Sequence, residues 1–118
     1  MGLGDVSGLS VPKTTLISAP RDGGMICTRT FIPVRPHTAI GVLGAVSVAT
    51  ALLLRGGVGA DLAKLGPGDL VDVEHPTGHL QVQVSIDAAA EPPTVLSAGV
   101  VRTARKLFDG VVYPAPYG

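Results

Sequence analysis

Residues 38–54 (TAIGVLGAVSVATALLL) run for seventeen positions without a charge, and nothing else in the 118-residue chain restricts its fold as much. Read as a helix, the segment has no polar stripe at any phase. Its three hydroxyls, on Thr38, Ser47 and Thr50, can each bond back to a carbonyl of the preceding turn. A helix that is apolar all round has to be enclosed by other elements. At about 1.5 Å per residue it would be about 25 Å long, short of the ~30 Å hydrocarbon layer of a bilayer. Gly41, Gly44, Ala45, Ser47, Ala49 and Ala51 dilute its hydrophobicity further. A buried core helix is therefore expected, and no membrane span.

The flanking segments read as strands able to do the enclosing. Residues 80–87 (LQVQVSID) alternate strictly, with Leu80, Val82, Val84 and Ile86 on one face and Gln81, Gln83, Ser85 and Asp87 on the other, the pattern of a half-buried strand. Residues 13–18 and 25–32 are rich in β-branched types and bounded by Pro20, Gly23, Gly24 and Pro33. Residues 70–75 set Val71 and Val73 against Asp72 and Glu74, and Pro76-Thr77-Gly78 reverses the chain into the next strand. Residues 94–101 and 102–108 read as one long strand bent near Gly99. Asp109-Gly110 signals a hairpin into residues 111–113. Residues 55–69 are loop with one helical turn at 61–65. The expected order is β-β-α-β-β-β-β, and the expected class is α+β: a mostly antiparallel β-barrel or roll wrapped around one central helix at about 38–54. One domain is expected at 11–114, with a flexible lead-in at 1–10 and a frayed tail at 115–118.

Composition narrows the function. Nine basic residues balance nine acidic ones, so there is no cationic excess for nucleic acid, and with 3% aromatics and no Trp there is no platform for stacking bases. The single cysteine, Cys27, excludes an intramolecular disulfide and a multi-cysteine zinc site, and its free thiol points to the cytoplasm. Residues 1–10 carry neither the basic n-region nor the apolar h-region of a secretory signal.

Four local patterns, in order, carry a resemblance. They are Val11-Pro12-Lys13-Thr14-Thr15-Leu16-Ile17-Ser18-Ala19-Pro20; Arg35-Pro36-His37 with the following Leu43-Gly44-Ala45-Val46; His75-Pro76-Thr77-Gly78; and Arg102-Thr103-Ala104-Arg105-Lys106-Leu107-Phe108-Asp109-Gly110. Together they resemble the C-terminal part of the PrpF family, the 2-methylaconitate cis–trans isomerases, 3-methylitaconate isomerases and 4-oxalomesaconate tautomerases. The resemblance implies half of a diaminopimelate-epimerase-like fold, in which each half is a β-barrel around a helix. It implies a cofactor-independent proton shift on small di- and tricarboxylic acids bound between two such halves. The chain is about a third of a family enzyme, and the lysine and cysteine assigned as acid and base in the family belong to the half not matched here. Leu43-Gly44-Ala45-Val46-Ser47 stands where the family commonly has Thr-Gly-Ala and a cysteine. The catalytic residues are therefore unknown from this chain.

A 1,3-proton shift in an unsaturated acid passes through a dienolate, so the site must stabilise added negative charge on a carboxylate. Arg35, His37 and Thr38 stand just before the helix. Thr38 as N-cap would leave the amides of Ala39, Ile40 and Gly41 free for a carboxylate, and Arg35 could fork onto a second one. The bland alternative is a solvated Arg35 and a His37 that only satisfies a neighbouring carbonyl. Thr77 and Gly78 offer a hydroxyl and an amide to an anion, or merely turn the chain. Arg102 and Arg105 line a cleft or sit in water at a strand end. Cys27 reads as an inert mid-strand thiol rather than an acid–base group. His75 and His79 straddle a turn without a third ligand at fixed spacing, so no metal site is expected. Two functions lead: an isomerase half-site for a small carboxylic acid, completed by a second copy or a separately encoded N-terminal half, or a non-catalytic remnant that self-associates or binds a partner; behind them stands a small membrane peptide built around residues 38–54.

Overall fold

The backbone pairs into one curled sheet with a single helix on its concave side. The computed structural model describes residues 2–116. In chain order the elements are β1 (Thr14–Ser18), β2 (Ile26–Ile32), β3 (Arg35–Pro36), α1 (Val42–Leu53), β4 (Leu70–His75), β5 (Gly78–Asp87) and β6 (Thr94–Val100). The sheet runs β1-β2-β4-β5-β6, with the two-residue β3 attached to β2. Every pairing is antiparallel except β2 with β4, which meet in parallel through Ile26↔Val73 and Cys27↔Glu74. Parallel neighbours need a crossover, and here residues 33–69, with α1, supply it.

The period of two in β5 does what the sequence requires. Val82 and Val84 are buried, Leu80 and Ile86 pack against the core, and Gln81 and Gln83 face water. Val71 and Val73 of β4, Ile26 of β2, and Ala45, Ala49 and Leu52 of α1 complete the interior. The alanines sit four apart, so one helix face lies close to the sheet without bulky side chains between. The α+β class and the mostly antiparallel sheet curled on one helix are as expected.

Several local expectations are corrected. The helix starts at Val42 rather than near Thr38, with Gly41 as its N-cap residue and no side-chain cap. Ile40 is drawn into the core, 6% exposed. The Thr38 carbonyl is taken by the Thr77 hydroxyl at 2.9 Å. These contacts hold residues 38–41 off the helical path. The helix is also not sheathed on every side: the sheet closes over Ala45, Ala49 and Leu52, whereas Leu43 is 82% exposed. The enclosure is half a barrel.

The long bent strand ends at Val100. Residues 101–116 have no regular structure and every one is exposed, so neither the strand at 102–108 nor the hairpin at 109–113 forms. A strand needs a neighbour to pair with, and among the described residues none pairs with this segment. The helical turn expected at 61–65 lies slightly earlier, where Leu62 and Ala63 N–H bond to the Gly59 carbonyl. No helix among the described residues is long and apolar enough to cross a membrane.

Candidate functional site

Where the half-barrel stays open, a groove of about 690 Å³ runs between β1 and α1. Its walls follow from strand alternation. Thr15 and Ile17 of β1 share the inward face with Thr30 of β2, because Thr15 pairs with Thr30 and Ile17 with Thr28. Across the groove stand Val42, Leu43, Gly44, Ser47, Val48 and Ala51 of α1, and Val58 closes the far end. Gly59 passes close behind at a φ of +83°, where a Cβ would lie 2.1 Å from Ile17 Cδ1. Only glycine fits that crossing.

One end of the groove is apolar (Ile17, Val48, Ala51, Val58) and the other is polar. The polar end holds Lys13, His37, Thr15, Thr30 and the start of α1. The Thr15 and Thr30 hydroxyls are bonded to each other at 2.9 Å, and Thr30 is only 4% exposed. His37 is fixed twice: its backbone N–H donates to the Thr30 carbonyl at 2.7 Å, and its Nδ1 accepts from Ala39 N–H at 2.9 Å. Accepting at Nδ1 places the proton of the neutral ring on Nε2, which makes the ring a donor. The first intrahelical bond of α1 is Ala45 N–H to Gly41 C=O at 2.9 Å. The amides of Val42, Leu43 and Gly44 therefore have no helical acceptor, and the first turn carries neither a capping side chain nor an acidic residue. A lysine, a ring donor and uncapped amides meet with no carboxylate among the groove's lining residues, so this end attracts negative charge.

The sequence-selected residues divide. His37 lines the groove. Arg35 and Thr38 lie with His37 in a separate exposed depression beside residues 7–10. Thr77 joins this region through its bond to the Thr38 carbonyl. Gly78 sits on the outer sheet face with Cys27 and His75. Arg102 stands on the other side of the helix start, beside Ala39, Ile40 and Val42. The free amides are those of Val42, Leu43 and Gly44, not of Ala39, Ile40 and Gly41. Lys13, Thr15 and Thr30 were not selected from sequence. The signal for Thr15 and Thr30 was their place in two alternating strands, but only register puts them opposite each other.

On the outer face, Ser18, Cys27, Glu74 and His79 fall in one row across four strands. Cys27 is half-buried. Glu74, though on the face that alternation assigns to water, is 3% exposed because residues 21–24 cover it. Its carboxylate accepts from the N–H groups of Arg21 (2.8 Å), Asp22 (2.8 Å) and Gly24 (2.8 Å). Burial works to raise its pKa, but the Arg21, Asp22 and Gly24 amides outweigh it and hold the carboxyl below the usual range. His79 is held between Asp72 (Nδ1 to Oδ2, 3.1 Å) and Asp22 (Nε2 to Oδ2, 3.3 Å). Asp72 first, then Asp22, raise its pKa. His75, by contrast, is lowered, mainly by burial. These groups fasten the loop that caps the outer face.

Comparison with known proteins adds to this geometry. The family described as PrpF protein matches residues 1–115. A Novosphingobium protein named (4E)-oxalomesaconate Delta-isomerase is 51% identical over 115 residues, covering 96% of this chain and 31% of that protein. A Pseudomonas putida protein named 4-oxalomesaconate tautomerase is 54% identical over 114 residues, covering 95% of this chain and 30% of that protein. The chain thus spans under a third of the length of these relatives.

Proposed function

The chain belongs to the PrpF family, and from that premise we propose that its groove is a carboxylate-binding wall of an isomerase or tautomerase acting on small unsaturated di- or tricarboxylic acids. The observation that carries this reading is the polar end of the groove, where Lys13, His37 and the uncapped start of α1 converge without an opposing carboxylate. A substrate carboxylate seated on the Val42–Gly44 amides gains from direct N–H donors and from the helix dipole. As a proton leaves the carbon next to that carboxylate, electron density moves onto its oxygens. The same donors then bind more strongly than in the ground state, and that difference lowers the barrier. Lys13 adds positive charge, and the apolar end takes the hydrocarbon part of the acid. No cofactor enters this scheme. The groups that remove and return the proton belong to polypeptide this chain does not span, an N-terminal half. A cytoplasmic setting fits a reaction on soluble organic acids.

A second reading, a non-catalytic remnant that self-associates, is favoured by one observation: the wholly exposed apolar segment after Val100.

Titration with an aconitate-type tricarboxylate, followed by amide NMR, separates the two. Binding at the wall shifts the Val42, Leu43 and Gly44 resonances. Lys13→Ala is expected to weaken binding about two- to fivefold, while Arg35→Ala, outside the groove, changes it little. Incubation with the same acid in heavy water and an added N-terminal half reads the chemistry, as deuterium uptake at the methylene and vinyl positions that needs both polypeptides. Unmoved amides and no uptake in a folded sample leave only the remnant.

A further inference from the structure

We infer that Thr15 is a specificity residue of the groove: its hydroxyl, turned outward by Thr30, holds a second carboxylate of the bound acid and so selects dicarboxylates over monocarboxylates. This rests on the reading of the Val42–Gly44 amides as the seat of the first carboxylate. A hydroxyl has one proton to donate and two lone pairs to accept with. The Thr15 and Thr30 hydroxyls are 2.9 Å apart, so one of their two protons lies between them. Their surroundings decide whose it is. Thr30 is 4% exposed, and among the described residues Thr15 Oγ1 is the hydrogen-bond partner of its hydroxyl. A buried O–H with no acceptor costs more than a buried oxygen with a spare lone pair. Thr30 therefore donates and Thr15 accepts. The half-buried Thr15 keeps its own proton for the groove that it lines. Already an acceptor, it is polarised into a better donor. Thr28 gives the contrast, since its hydroxyl donates to the Glu74 carbonyl at 2.7 Å and ends there.

The place of this donor is fixed from two directions. Strand register sets Thr15 opposite Thr30. The Thr30 carbonyl in turn takes the His37 N–H at 2.7 Å, which ties the pair to the chain leading into α1. Val42, Leu43 and Gly44 stand across the groove from Thr15. One wall thus presents a helix start, and the other a hydroxyl donor beside Lys13, on the same side of the strand by alternation. With no carboxylate among the lining residues, both walls suit anionic oxygen. A short unsaturated acid with a carboxylate at each end satisfies the two walls together. A monocarboxylate satisfies one and leaves the Thr15 hydroxyl against hydrocarbon, where a donor without an acceptor is unfavourable.

Fumarate and crotonate are the probes, because crotonate is fumarate with one carboxylate replaced by a methyl group. Titration of the full chain with each, followed by amide NMR, reads the two walls separately. Shifts at Val42, Leu43 and Gly44 with either acid report the helix seat, and the ratio of the two affinities reports Thr15. Thr15→Val removes the hydroxyl without changing charge. It is expected to weaken fumarate about five- to tenfold and crotonate less than about twofold. Thr15→Ser, which keeps the donor, should retain the parent's ratio. Thr30→Val, which lets the Thr15 hydroxyl rotate freely, should give a ratio between the parent's and that of Thr15→Val. Thr15→Val also orphans the buried Thr30 hydroxyl. Thr15→Val combined with Thr30→Val leaves no orphan and carries the same expectation should the single variant unfold. A ratio unchanged in Thr15→Val, one lost equally in Thr15→Ser, or one untouched by Thr30→Val overturns the assignment while the helix seat stands. Amides of residues 42–44 that move with neither acid overturn the seat and the assignment together.

Discussion

Glu74 shows how far one side chain can depart from its sequence pattern. Alternation with Val71 and Val73 puts it on the wet face, and nothing near it in sequence says otherwise. The residues that bury it lie some fifty positions earlier, in a loop that the sequence marks only by the Pro20, Gly23 and Gly24 bounding the flanking strands. Replacing its carboxylate with an amide that cannot accept from all three N–H groups, as in Glu74→Gln, is expected to cost about 2–4 kcal/mol in a urea melt. The pH dependence follows from the sign of its shift. A carboxyl depressed in the folded state stabilises above its unfolded value, and that stability is lost as pH falls through the folded value. The parent should therefore weaken on acidification below the ordinary glutamate range, and Glu74→Gln should weaken less. His79 runs the other way. Its contribution is complete below the ordinary histidine value and fades as pH rises through the elevated one. In an NMR titration its midpoint should drop in both Asp72→Asn and Asp22→Asn. Gly24 is bound to the same cluster by space, since a Cβ there would sit 2.6 Å from Glu74 Cγ. Gly24→Ala should lower the melting temperature, at a cost of about 1–3 kcal/mol.

Among the elements, strands with period two were legible and strands defined by their partners were not. β5 could be read residue by residue because one face is core and the other water. Residues 102–108 read as the continuation of the preceding strand but pair with no edge among the described residues, and local sequence cannot report a missing neighbour. The helix could be found but not its start. Its first turn is set by the Thr77–Thr38 bond across thirty-nine positions and by burial of Ile40, both long-range. For the same reason His37 was found at the groove while Lys13, Thr15 and Thr30, which register brings together, were missed. The helix itself divides by face. Leu52→Ala empties core volume and should cost about 2–5 kcal/mol in chemical denaturation. Ser47→Ala, exposed and bonded only to the Leu43 carbonyl at 2.8 Å, should stay within about 0.5 kcal/mol of the parent.

For the molecule as a whole, stability resides in residues 11–100. A chain ending after Val100 should keep its circular dichroism and melt within about 3 °C of the parent, since residues 101–116 give the body one backbone bond. The body is itself two ribbons of local pairing. β1 with β2 makes one, and β4, β5 and β6 make the other. Within the sheet they meet along only two paired positions, Ile26↔Val73 and Cys27↔Glu74. So short a parallel ladder is the spine of a book whose covers are each bound firmly on their own. Glu74 on one surface and the helix on the other act as its clasps. Amides near this spine should therefore open to deuterium together, ahead of those inside either cover, and the pages should fall apart before any of them tears.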